Sequence, residues 1–363
     1  MTCGESLAWL YSTQQFGIKL GLDNILRLLA GLGHPEARFP IVHVAGTNGK
    51  GSVSALADAV LRASGRKCGL YTSPHLVDFR ERIRVNGEMI SPDAVAEGLT
   101  SLRALSSGWE HSPTFFEIAT ALALGHFAAA GCDCVVLETG MGGRLDATNA
   151  VRPAVSVLTP IALDHTEWLG KTLSAVAREK AGIIKAGVPV VSAPQLPEAG
   201  EVIRARAAEV GAPLAFVREP FRDGPIALRG EHQRENAALA IAALAAAGLT
   251  ASPDNIRDGL RSVKWPGRFQ LAGDRIVLDG GHNPHGARQL AANWREAFGD
   301  EKAVIIFGAL ADKDFPAMLR ELAPIAGTFF FVPVRNERSA AVAALAEAAP
   351  GAFRTWDSLE AAL

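Results

Sequence analysis

The stretch Ile41–Ser52, which reads IVHVAGTNGKGS, decides the fold of the first part of this 363-residue chain. Its first five residues are apolar apart from His43, which predicts a buried strand. Three glycines follow at 46, 49 and 51, and an apolar-periodic segment then predicts a helix from about Ser52 to Ser64. A strand, a glycine turn and a helix in this order present backbone N–H groups and a helix N-terminus to a phosphate.

The lysine and hydroxyl side chains of this stretch strengthen the prediction of a phosphate site. Lys50 can place a positive charge near the β- and γ-phosphates, and Ser52 or Thr47 can offer a hydroxyl to Mg²⁺. The usual P-loop has an earlier glycine and a Ser or Thr directly after the lysine, whereas Gly51 follows Lys50 here. A glycine turn without a ligand is the alternative, and the stretch alone does not name a reaction.

Composition and charge exclude several classes of protein. The chain is 48% hydrophobic and 20% charged, as in globular proteins, and a formal net charge of −2 implies no general attraction to nucleic acid or to an anionic membrane. The N-terminus lacks the pattern of a signal peptide, and the longest apolar run, 237–249, is shorter than the roughly 20 residues of a membrane span. The cysteine spacing fits neither a disulfide framework nor a zinc site, so a cytoplasmic protein is expected; the cysteines are Cys3, Cys68, Cys132 and Cys134.

Strands alternate with helices along the chain, which predicts an α/β fold with a mostly parallel sheet. Ser73, Glu138 and His165 each follow a predicted strand. Because the carboxyl ends of parallel strands share one edge of a sheet, these three side chains are expected along that edge. A Pro-Gly pair at 266–267 precedes a new series of strands, which predicts a first domain over 1–265, with the glycine loop and a mostly parallel sheet, and a smaller Rossmann-like α/β domain over 266–363.

A hydroxyl, a carboxylate and an imidazole beside a phosphate loop form a plausible Mg²⁺ site, although imidazole suits softer metals better. Each side chain also has a simpler interpretation. Ser73 could cap a helix, Glu138 could pair with Arg144, and His165 could cap the segment that follows it. Lys180 lies in a helical segment where a lysine is normally solvated. An ammonium group inside a metal cluster would repel Mg²⁺, whereas a carbamylated lysine would be an anionic ligand.

With these residues assembled, the chain resembles the folylpolyglutamate synthases and the bifunctional dihydrofolate synthase/folylpolyglutamate synthases of the Mur-ligase superfamily. The resemblance runs from about Leu7 to about Ala340. It rests on nine motifs in order: AGTNGKGS (45–52), YTSPHL (71–76), LETGMGGRLDATN (137–149), ALDHTEWLG (162–170), REKAGIIK (178–185), HQRENAALA (232–240), PGRFQ (266–270), DGGHNPHGA (279–287) and FGALADKDF (307–315).

The resemblance implies a role for each candidate site residue. The metal ligands would be Ser73, Glu138 and His165, with two Mg²⁺ ions, and Lys180 would be carbamylated and catalytic together with Lys50 and His165. The ATP-binding residues would be Thr47, Asn48, Gly49, Lys50, Gly51, Ser52, Asn236, Arg268, Asp279 and His282. The pteroate- or folate-binding residues would be Thr114, Phe115, Phe116, Glu117, Leu145, Asp146 and Ala147.

The reaction that the resemblance implies is an ATP-dependent amide synthesis. A carboxylate of dihydropteroate or tetrahydrofolate attacks the γ-phosphorus of ATP, and the amino group of L-glutamate then displaces phosphate from the acyl phosphate. Phosphoryl transfer depends mainly on positioning and electrostatics, so no protein nucleophile is expected. The implied partners are these small molecules only, the implied state is a monomer, and the ATP site would lie between the domains and be assembled by their closure.

Three departures from the family pattern modify these expectations. Only residues 221–231 stand where the family has a longer insertion. Family members also continue beyond the position of Leu363, which predicts a shortened second domain with an exposed sheet edge. Lys19 stands where bifunctional members often have aspartate, which weakens the dihydropteroate assignment, although Thr114, Phe116 and Asp146 support it. The alternative is a folylpolyglutamate synthase without dihydropteroate activity.

Two alternatives from other functional classes remain at this stage. A P-loop kinase or NTPase would hydrolyse ATP or phosphorylate an acceptor without consuming glutamate. An inactive nucleotide-binding relative would bind ATP only, but such a protein is expected to have lost at least one of the loop lysine, the metal candidates and Lys180.

Overall fold

The computed structural model describes residues 1–16 and 21–363, with the side chains of 15 and 16 outside the description. The expectation attached to Lys19 therefore lies outside the described residues. The described chain divides into two compact units. The first comprises 1–227 and 233–264, and the second comprises 228–232 and 265–363.

The first unit is built on one eight-stranded sheet with the order β4-β3-β2-β5-β1-β6-β7-β8. The strands from β2 to β8 in this order pair in parallel, whereas β3 pairs antiparallel with β2 and the edge strand β4 pairs antiparallel with β3. The strands are β1 (Ile41–Ala45), β2 (Cys68–Tyr71), β3 (Ile83–Val85), β4 (Glu88–Met89), β5 (Cys134–Glu138), β6 (Val155–Leu158), β7 (Val190–Ser192) and β8 (Leu214–Phe216).

Ten helices occur along the same part of the described chain. They are α1 (Cys3–Ser12), α2 (Asp23–Gly31), α3 (Lys50–Ala63), α4 (Pro92–Leu105), α5 (Phe115–Ala129), α6 (Thr166–Leu169), α7 (Leu173–Ala181), α8 (Pro197–Glu209), α9 (Glu231–Ala246) and α10 (Pro253–Ser262). Short 3-10 turns at 13–16, 35–38, 79–82 and 147–150 connect some of them.

The central strands confirm the prediction of a mostly parallel sheet with both faces covered. Every residue of β1, β2, β5 and β6 is buried, as expected for near-continuous apolar strands between two layers of helices. Because β2, β5, β1 and β6 are consecutive and parallel in the sheet, their carboxyl ends lie at one edge. Ser73, Glu138 and the segment that leads to His165 start from that edge.

Two features of the first unit differ from the sequence-based expectation. Helix α3 begins at Lys50, two residues before the predicted start, because Gly49 adopts a left-handed conformation (φ 90°) and ends the loop there. The antiparallel pair β3 and β4 was not predicted, since strands of three and two residues carry almost no periodicity. Asn86-Gly87, with φ of 52° and 83°, forms the turn between them and was the available signal.

The second unit contains a smaller parallel sheet, as expected for a Rossmann-like domain. Strands β11 (Ala303–Phe307), β12 (Ala326–Phe331) and β13 (Phe353–Thr355) pair in parallel. A separate antiparallel hairpin, β9 (Gln270–Ala272) with β10 (Ile276–Leu278), was not predicted. The helices are α11 (Pro284–Phe298), α12 (Phe315–Leu322), α13 (Val342–Glu347) and α14 (Leu359–Ala362), and Phe307, Phe329 and Phe331 form the centre of the core.

Among the described residues, none of the helices combines the length and the apolar character that crossing a membrane requires.

Candidate active site

The glycine loop after β1 is anchored to the loop that follows β6. The backbone N–H groups of Thr47 and Asn48 both donate to the Pro160 carbonyl, at 3.0 and 3.3 Å. The Thr47 hydroxyl donates to the Ala162 carbonyl and accepts from the Ala162 N–H, both at 3.0 Å. In this structure the amides of Thr47 and Asn48 are therefore used within the protein, and the next amides along the chain remain to receive a phosphate.

Those next amides belong to the N-terminus of α3. Gly49 is the N-cap residue, and no side chain caps this helix end. The first four N–H groups of an α-helix have no partner inside the helix and carry the positive end of its dipole. Lys50, Gly51 and Ser52 thus present an anion site at the predicted position, on a helix of 14 residues.

Helix α9 contacts this anion site through two buried side chains. Gln233 Nε2 donates to the Ser52 hydroxyl at 3.2 Å, and Asn236 Nδ2 donates to Gln233 Oε1 at 3.0 Å. A Cβ atom added to Gly49 would lie 2.7 Å from Asn236 Oδ1, so Asn236 lies directly against the loop. Gln233 was not among the predicted site residues, although its three-residue spacing from Asn236 on one face of an alanine-rich helix was a usable signal.

Replacing Gly49 with alanine is expected to weaken nucleotide binding by about 10-fold or more, because the side chain is strained at this φ and collides with Asn236. Titration with a fluorescent ATP analogue measures the effect. Gly65→Ala is the matched control, since Gly65 also has a positive φ (80°) but has no atom near its Cβ position. The control should lose about 1 kcal/mol of stability and keep its nucleotide affinity. Equal affinity losses in both variants would contradict the role of the Gly49–Asn236 contact.

Two lysine side chains converge on one backbone carbonyl beneath the loop. Lys180 Nζ donates to the Gly46 carbonyl at 2.7 Å, and Lys50 Nζ donates to the same oxygen at 3.1 Å. Lys50 also donates to the Thr47 carbonyl at 3.3 Å. Lys180 is 4% exposed, so the interpretation of a solvated helical lysine is wrong.

This environment lowers the pKa of Lys180 to about 7, mainly because burial disfavours the ammonium form and further because Lys50 is nearby. At neutral pH a large fraction of the amine is therefore unprotonated. A neutral amine is the form that reacts with CO₂ to give a carbamate. The structure thus supplies the chemical condition that carbamylation of Lys180 needs.

Ser73 and Glu138 are brought together at the edge of the sheet. The Ser73 N–H donates to Glu138 Oε2 at 3.1 Å, and Glu138 is buried at the end of β5. A hydroxyl and a carboxylate are oxygen donors of the type that Mg²⁺ prefers, so this pair fits the ion. His165 is exposed and lies near Asp164, with 3.9 Å between Nε2 and Oδ1. Across residues 1–16 and 21–363, no cluster of three or more His, Cys, Asp or Glu side chains is arranged to hold a metal.

Of the simpler interpretations, the pairing of Glu138 with Arg144 is wrong, and His165 occupies the capping position without a side-chain cap. Arg144 pairs with Glu179 at 2.9 Å rather than with Glu138. His165 is the N-cap residue of α6, with a left-handed φ of 50°, but its side chain makes no capping hydrogen bond. The Arg144 N–H also donates to the Glu179 carbonyl at 2.7 Å, which packs the glycine-rich segment after β5 against the end of α7, where Lys180 lies.

The two predicted pteroate-binding segments also meet. Thr114 and Glu117 form a capping box at the start of α5, with Glu117 accepting from both the N–H and the hydroxyl of Thr114. Phe116 packs against Gly140, where an added Cβ would lie 2.6 Å from the ring. Leu145 and Ala147 follow on the same segment as Gly140, and Ala147 is buried.

Asp146 holds the segment after β5 in shape. Its Oδ2 accepts from the N–H groups of Gly140 and Met141, both at 2.9 Å. Its Oδ1 accepts from the N–H and the hydroxyl of Thr148. A carboxylate has about four acceptor positions, and all are used here. Burial raises the pKa of Asp146, while these hydrogen bonds oppose the rise.

His43 lies at the base of this segment and is fully buried on β1. Its Nε2 is 2.9 Å from the Thr148 hydroxyl. Because that hydroxyl donates to Asp146, it accepts from His43, so the imidazole carries its proton on Nε2. Its Nδ1 has no partner among the described residues. Burial, helped by the charge of Lys185, lowers the pKa of His43 to about 3.

The lowered pKa of His43 predicts a loss of stability in acid. In the unfolded chain His43 binds a proton near pH 6.5, whereas in the folded chain it does so only near pH 3. The stabilisation that neutral His43 gives the folded state is therefore complete above pH 6.5 and is lost as the pH falls. The free energy of unfolding should decrease by up to about 1.4 kcal/mol per pH unit from this group. Chemical denaturation between pH 7 and 4 measures the slope, and His43→Gln should have the smaller one. Equal slopes for the two proteins would contradict the buried neutral state.

In the second unit, Arg268 and Asp279 lie at one turn. Asp279 accepts from the N–H groups of Phe269 and Gly281, at 2.9 and 2.8 Å. A Cβ added to Gly280 would lie 2.8 Å from an Arg268 guanidinium nitrogen. His282 is exposed one residue before the N-cap of α11, with Nδ1 3.0 Å from the Gly280 carbonyl oxygen.

Comparison with known families agrees with this arrangement. The Mur ligase middle domain matches residues 44–191, which contain the glycine loop, Ser73, Glu138, His165 and Lys180. The glutamate ligase domain of the Mur ligases matches residues 267–363, which contain Arg268, Asp279 and His282.

Individual relatives are similar over almost the whole chain. A dihydrofolate synthase/folylpolyglutamate synthase from Bacillus subtilis (strain 168) is 36% identical, over 97% of this chain and 90% of its own length. The protein of the same name from Escherichia coli (strain K12) is 36% identical, over 94% of this chain and 84% of its own length.

Solved structures of related proteins are also similar to almost the whole of this chain. E. coli FolC in complex with DHPP and ADP has a TM-score of 0.89 at 35% identity, covering 98% of this chain and 89% of that one. A bifunctional folylpolyglutamate synthase/dihydrofolate synthase with Mn, AMPPNP and L-glutamate bound has a TM-score of 0.89 at 33% identity, covering 98% and 90%. The chain therefore belongs to the dihydrofolate synthase/folylpolyglutamate synthase family of the Mur ligases.

Proposed function

We propose that this protein is an ATP-dependent ligase that adds L-glutamate to a folate-type carboxylate, releasing ADP and phosphate. The observation that carries the proposal is the pairing of Lys50 and Lys180 on the Gly46 carbonyl beside the uncapped N-terminus of α3. That arrangement suits a reaction in which one anion must approach another. The relatives that share this fold are ligases of this class, and a solved neighbour holds Mn, AMPPNP and L-glutamate together.

The reaction begins with attack of the acceptor carboxylate on the γ-phosphorus of ATP, which expels ADP and forms an acyl phosphate. The N–H groups of Lys50, Gly51 and Ser52 bind phosphate oxygens, and the Lys50 ammonium reduces the repulsion between the two anions. Gln233 and Asn236 fix the loop from α9 and lie where they can contact the nucleotide. The L-glutamate amine then displaces phosphate from the acyl phosphate. The remaining candidates for ATP contacts are Thr47, Asn48, Gly49, Arg268, Asp279 and His282.

The residues that would hold Mg²⁺ are Ser73 and Glu138, with His165 as a third candidate. When bound, the ion supplies positive charge to phosphate oxygens. The N–H of Ser73 positions the Glu138 carboxylate, which places the two residues side by side. Lys180 as a carbamate would add an anion next to Lys50 and convert a repulsive pair of charges into an attractive one.

The acceptor is proposed to bind at the segments around Phe116 and Gly140. Phe115 and Phe116 offer aromatic faces at the start of α5, and Thr114, Glu117, Leu145, Asp146 and Ala147 shape the segments beside them. The proposed acceptors are dihydropteroate and tetrahydrofolate. A folylpolyglutamate synthase that accepts tetrahydrofolate alone is the second candidate. The protein is proposed to act as a monomer on small molecules, without nucleic acid.

Phosphate release tests the proposal directly. The protein is incubated with Mg-ATP and L-glutamate, with dihydropteroate in one reaction and tetrahydrofolate in another, and with glutamate omitted in the control. Release with both acceptors, dependent on glutamate, is expected. Release with tetrahydrofolate alone establishes the monofunctional enzyme. Release without glutamate would indicate a kinase or NTPase, and no release by a protein that still binds ATP would indicate an inactive relative.

A further inference from the structure

Arg82, at the end of the turn before β3, is a buried cation that forms no ion pair with a carboxylate among the described residues. The residue is 8% exposed. Among the described residues no carboxylate lies within ion-pairing distance of it, and the four residues outside the description, GIKL at 17–20, contain no acid. A buried charge without a counter-charge is costly, and proteins keep such a group mainly where a ligand or another charge completes it.

The acidic side chains near Arg82 are already engaged elsewhere. Asp78 pairs with Arg80 at 2.6 Å and caps the 79–82 turn. Glu81 accepts from the backbone N–H groups of Leu76, Val77 and Asp78. Neither carboxylate is therefore oriented to neutralise the Arg82 guanidinium.

The groups that do contact the Arg82 guanidinium are neutral and aromatic. Arg82 Nε donates to His75 Nδ1 at 2.8 Å, and the Tyr71 phenol is near enough for the positive charge of Arg82 to oppose the rise that burial causes in the pKa of Tyr71. Arg82 Cζ lies 5.3 Å from the centre of the Phe115 ring, which stacks on Tyr11 at 5.6 Å. A guanidinium has five N–H donors in a planar fork, so these partners leave donors for a carboxylate.

The surface above this cluster is apolar and accessible. Leu76 and Val77 are 60% and 90% exposed on the loop that carries His75, and Tyr11, which contacts His75, is 37% exposed. An exposed apolar rim beside aromatic rings and a buried arginine matches a ligand with an aromatic body and a carboxylate. Phe115 is also one of the residues proposed to bind the acceptor.

The position in the sheet separates Arg82 from the phosphate loop. The Arg82 carbonyl accepts from the Thr72 N–H, so Arg82 lies beside the end of β2. Strand β5 lies between β2 and β1, which places the two strand ends about 10 Å apart at the usual strand spacing. This separation favours the interpretation that the carboxylate held by Arg82 differs from the one that attacks ATP at the loop after β1.

We propose that Arg82 binds the non-reacting α-carboxylate of an acceptor that already ends in glutamate. This inference rests on the proposed function. It makes Arg82 a determinant of acceptor specificity, because tetrahydrofolate has an α- and a γ-carboxylate, whereas dihydropteroate has one carboxylate, the one that reacts. Arg82 then contributes to chain elongation and not to the first addition of glutamate.

Binding and turnover with the two acceptors test the proposal. We expect Arg82→Gln to weaken tetrahydrofolate binding by about 30-fold or more, measured by calorimetry without ATP, and to raise its KM similarly. Dihydropteroate binding should change by less than about 3-fold. Arg82→Lys, which keeps the charge but not the fork, should lie between wild type and Arg82→Gln for tetrahydrofolate and provides a variant with less risk of misfolding.

Arg84→Gln is the matched control, since Arg84 lies two residues further along the chain, on β3, and its side chain donates to the carbonyls of Glu81 and Gly87. It should bind both acceptors like wild type. Equal losses for both acceptors in Arg82→Gln and Arg82→Lys, or no loss for either, would overturn the proposal. If wild-type protein shows no glutamate-dependent turnover with any acceptor, the proposed function fails. If the wild-type protein shows glutamate-dependent turnover and the substitutions change the affinities for the two acceptors equally, only the proposed role of Arg82 fails.

Discussion

Replacing Lys180 by alanine is expected to lower glutamate-dependent phosphate release by about 10³-fold. The side chain is buried, its nitrogen lies 2.7 Å from the Gly46 carbonyl oxygen, and it is close enough to Lys50 for the two charges to interact. The substitution removes the amine that would carry the carbamate and leaves the amides of the loop in place. Nucleotide binding should therefore persist while turnover is lost, which separates a catalytic role from a role in folding.

Added acetate or propionate should restore part of the activity of Lys180→Ala, because a small carboxylate can replace the carbamate in the space left by the side chain. Carbon-13 NMR of the wild-type protein in labelled bicarbonate should show one carbamate signal that the variant lacks. The signal should fade below a pH of about 7, as the amine becomes protonated. Lys171→Ala, at an exposed lysine, is the control. Normal turnover of Lys180→Ala would rule out the carbamate.

Replacing Glu138 by glutamine is expected to lower kcat by about 10²- to 10³-fold at saturating ATP and to raise the Mg²⁺ concentration that half-maximal activity needs. Glutamine keeps an oxygen that can accept the Ser73 N–H at Glu138's position, so the end of β5 should retain its shape. Thermal unfolding should therefore be nearly unchanged. The negative charge, which the ion requires, is what the substitution removes.

A magnesium titration of initial rates measures this effect, with manganese as a second ion. Glu88→Gln, on the exposed edge strand β4, is the control and should follow the wild-type curve. If Glu138→Gln also follows the wild-type curve, Glu138 does not bind the metal, and Ser73 would lose its assigned partner at the site.

Much of the first unit could be predicted from the sequence because several signals coincide there. The run Ile41–Ala45, the glycines after it and the periodic segment after Lys50 all indicate the same strand, loop and helix. The polar residues after β2 and β5 could be placed at one edge because parallel strands share the direction of their carboxyl ends. Each of these inferences depends on local pattern together with one rule of topology.

The contacts between residues far apart in the sequence, and the burial of charged side chains, could not be predicted in this way. The bonds from Thr47 to Pro160 and Ala162 depend on which strand lies next to β1. The burial of Lys180 and Arg82 depends on the side chains packed over them, and nothing in the sequences around these residues distinguishes them from exposed residues of the same type. Gln233 reaches Ser52 across 181 positions of sequence. Such features require the three-dimensional arrangement.

The shared carbonyl of Gly46 makes Lys50 and Lys180 a single thermodynamic unit. The two side chains share one acceptor and interact through their charges, so the effects of the two single substitutions on the free energy of unfolding should not add. A double-mutant cycle with substitutions at Lys50 and Lys180 measures the coupling energy between the two side chains. The sign of that energy depends on the charge of Lys180. Two ammonium groups give a repulsive coupling, and an ammonium beside a carbamate gives an attractive one. Measurements of unfolding free energy can therefore distinguish an ammonium from a carbamate at Lys180.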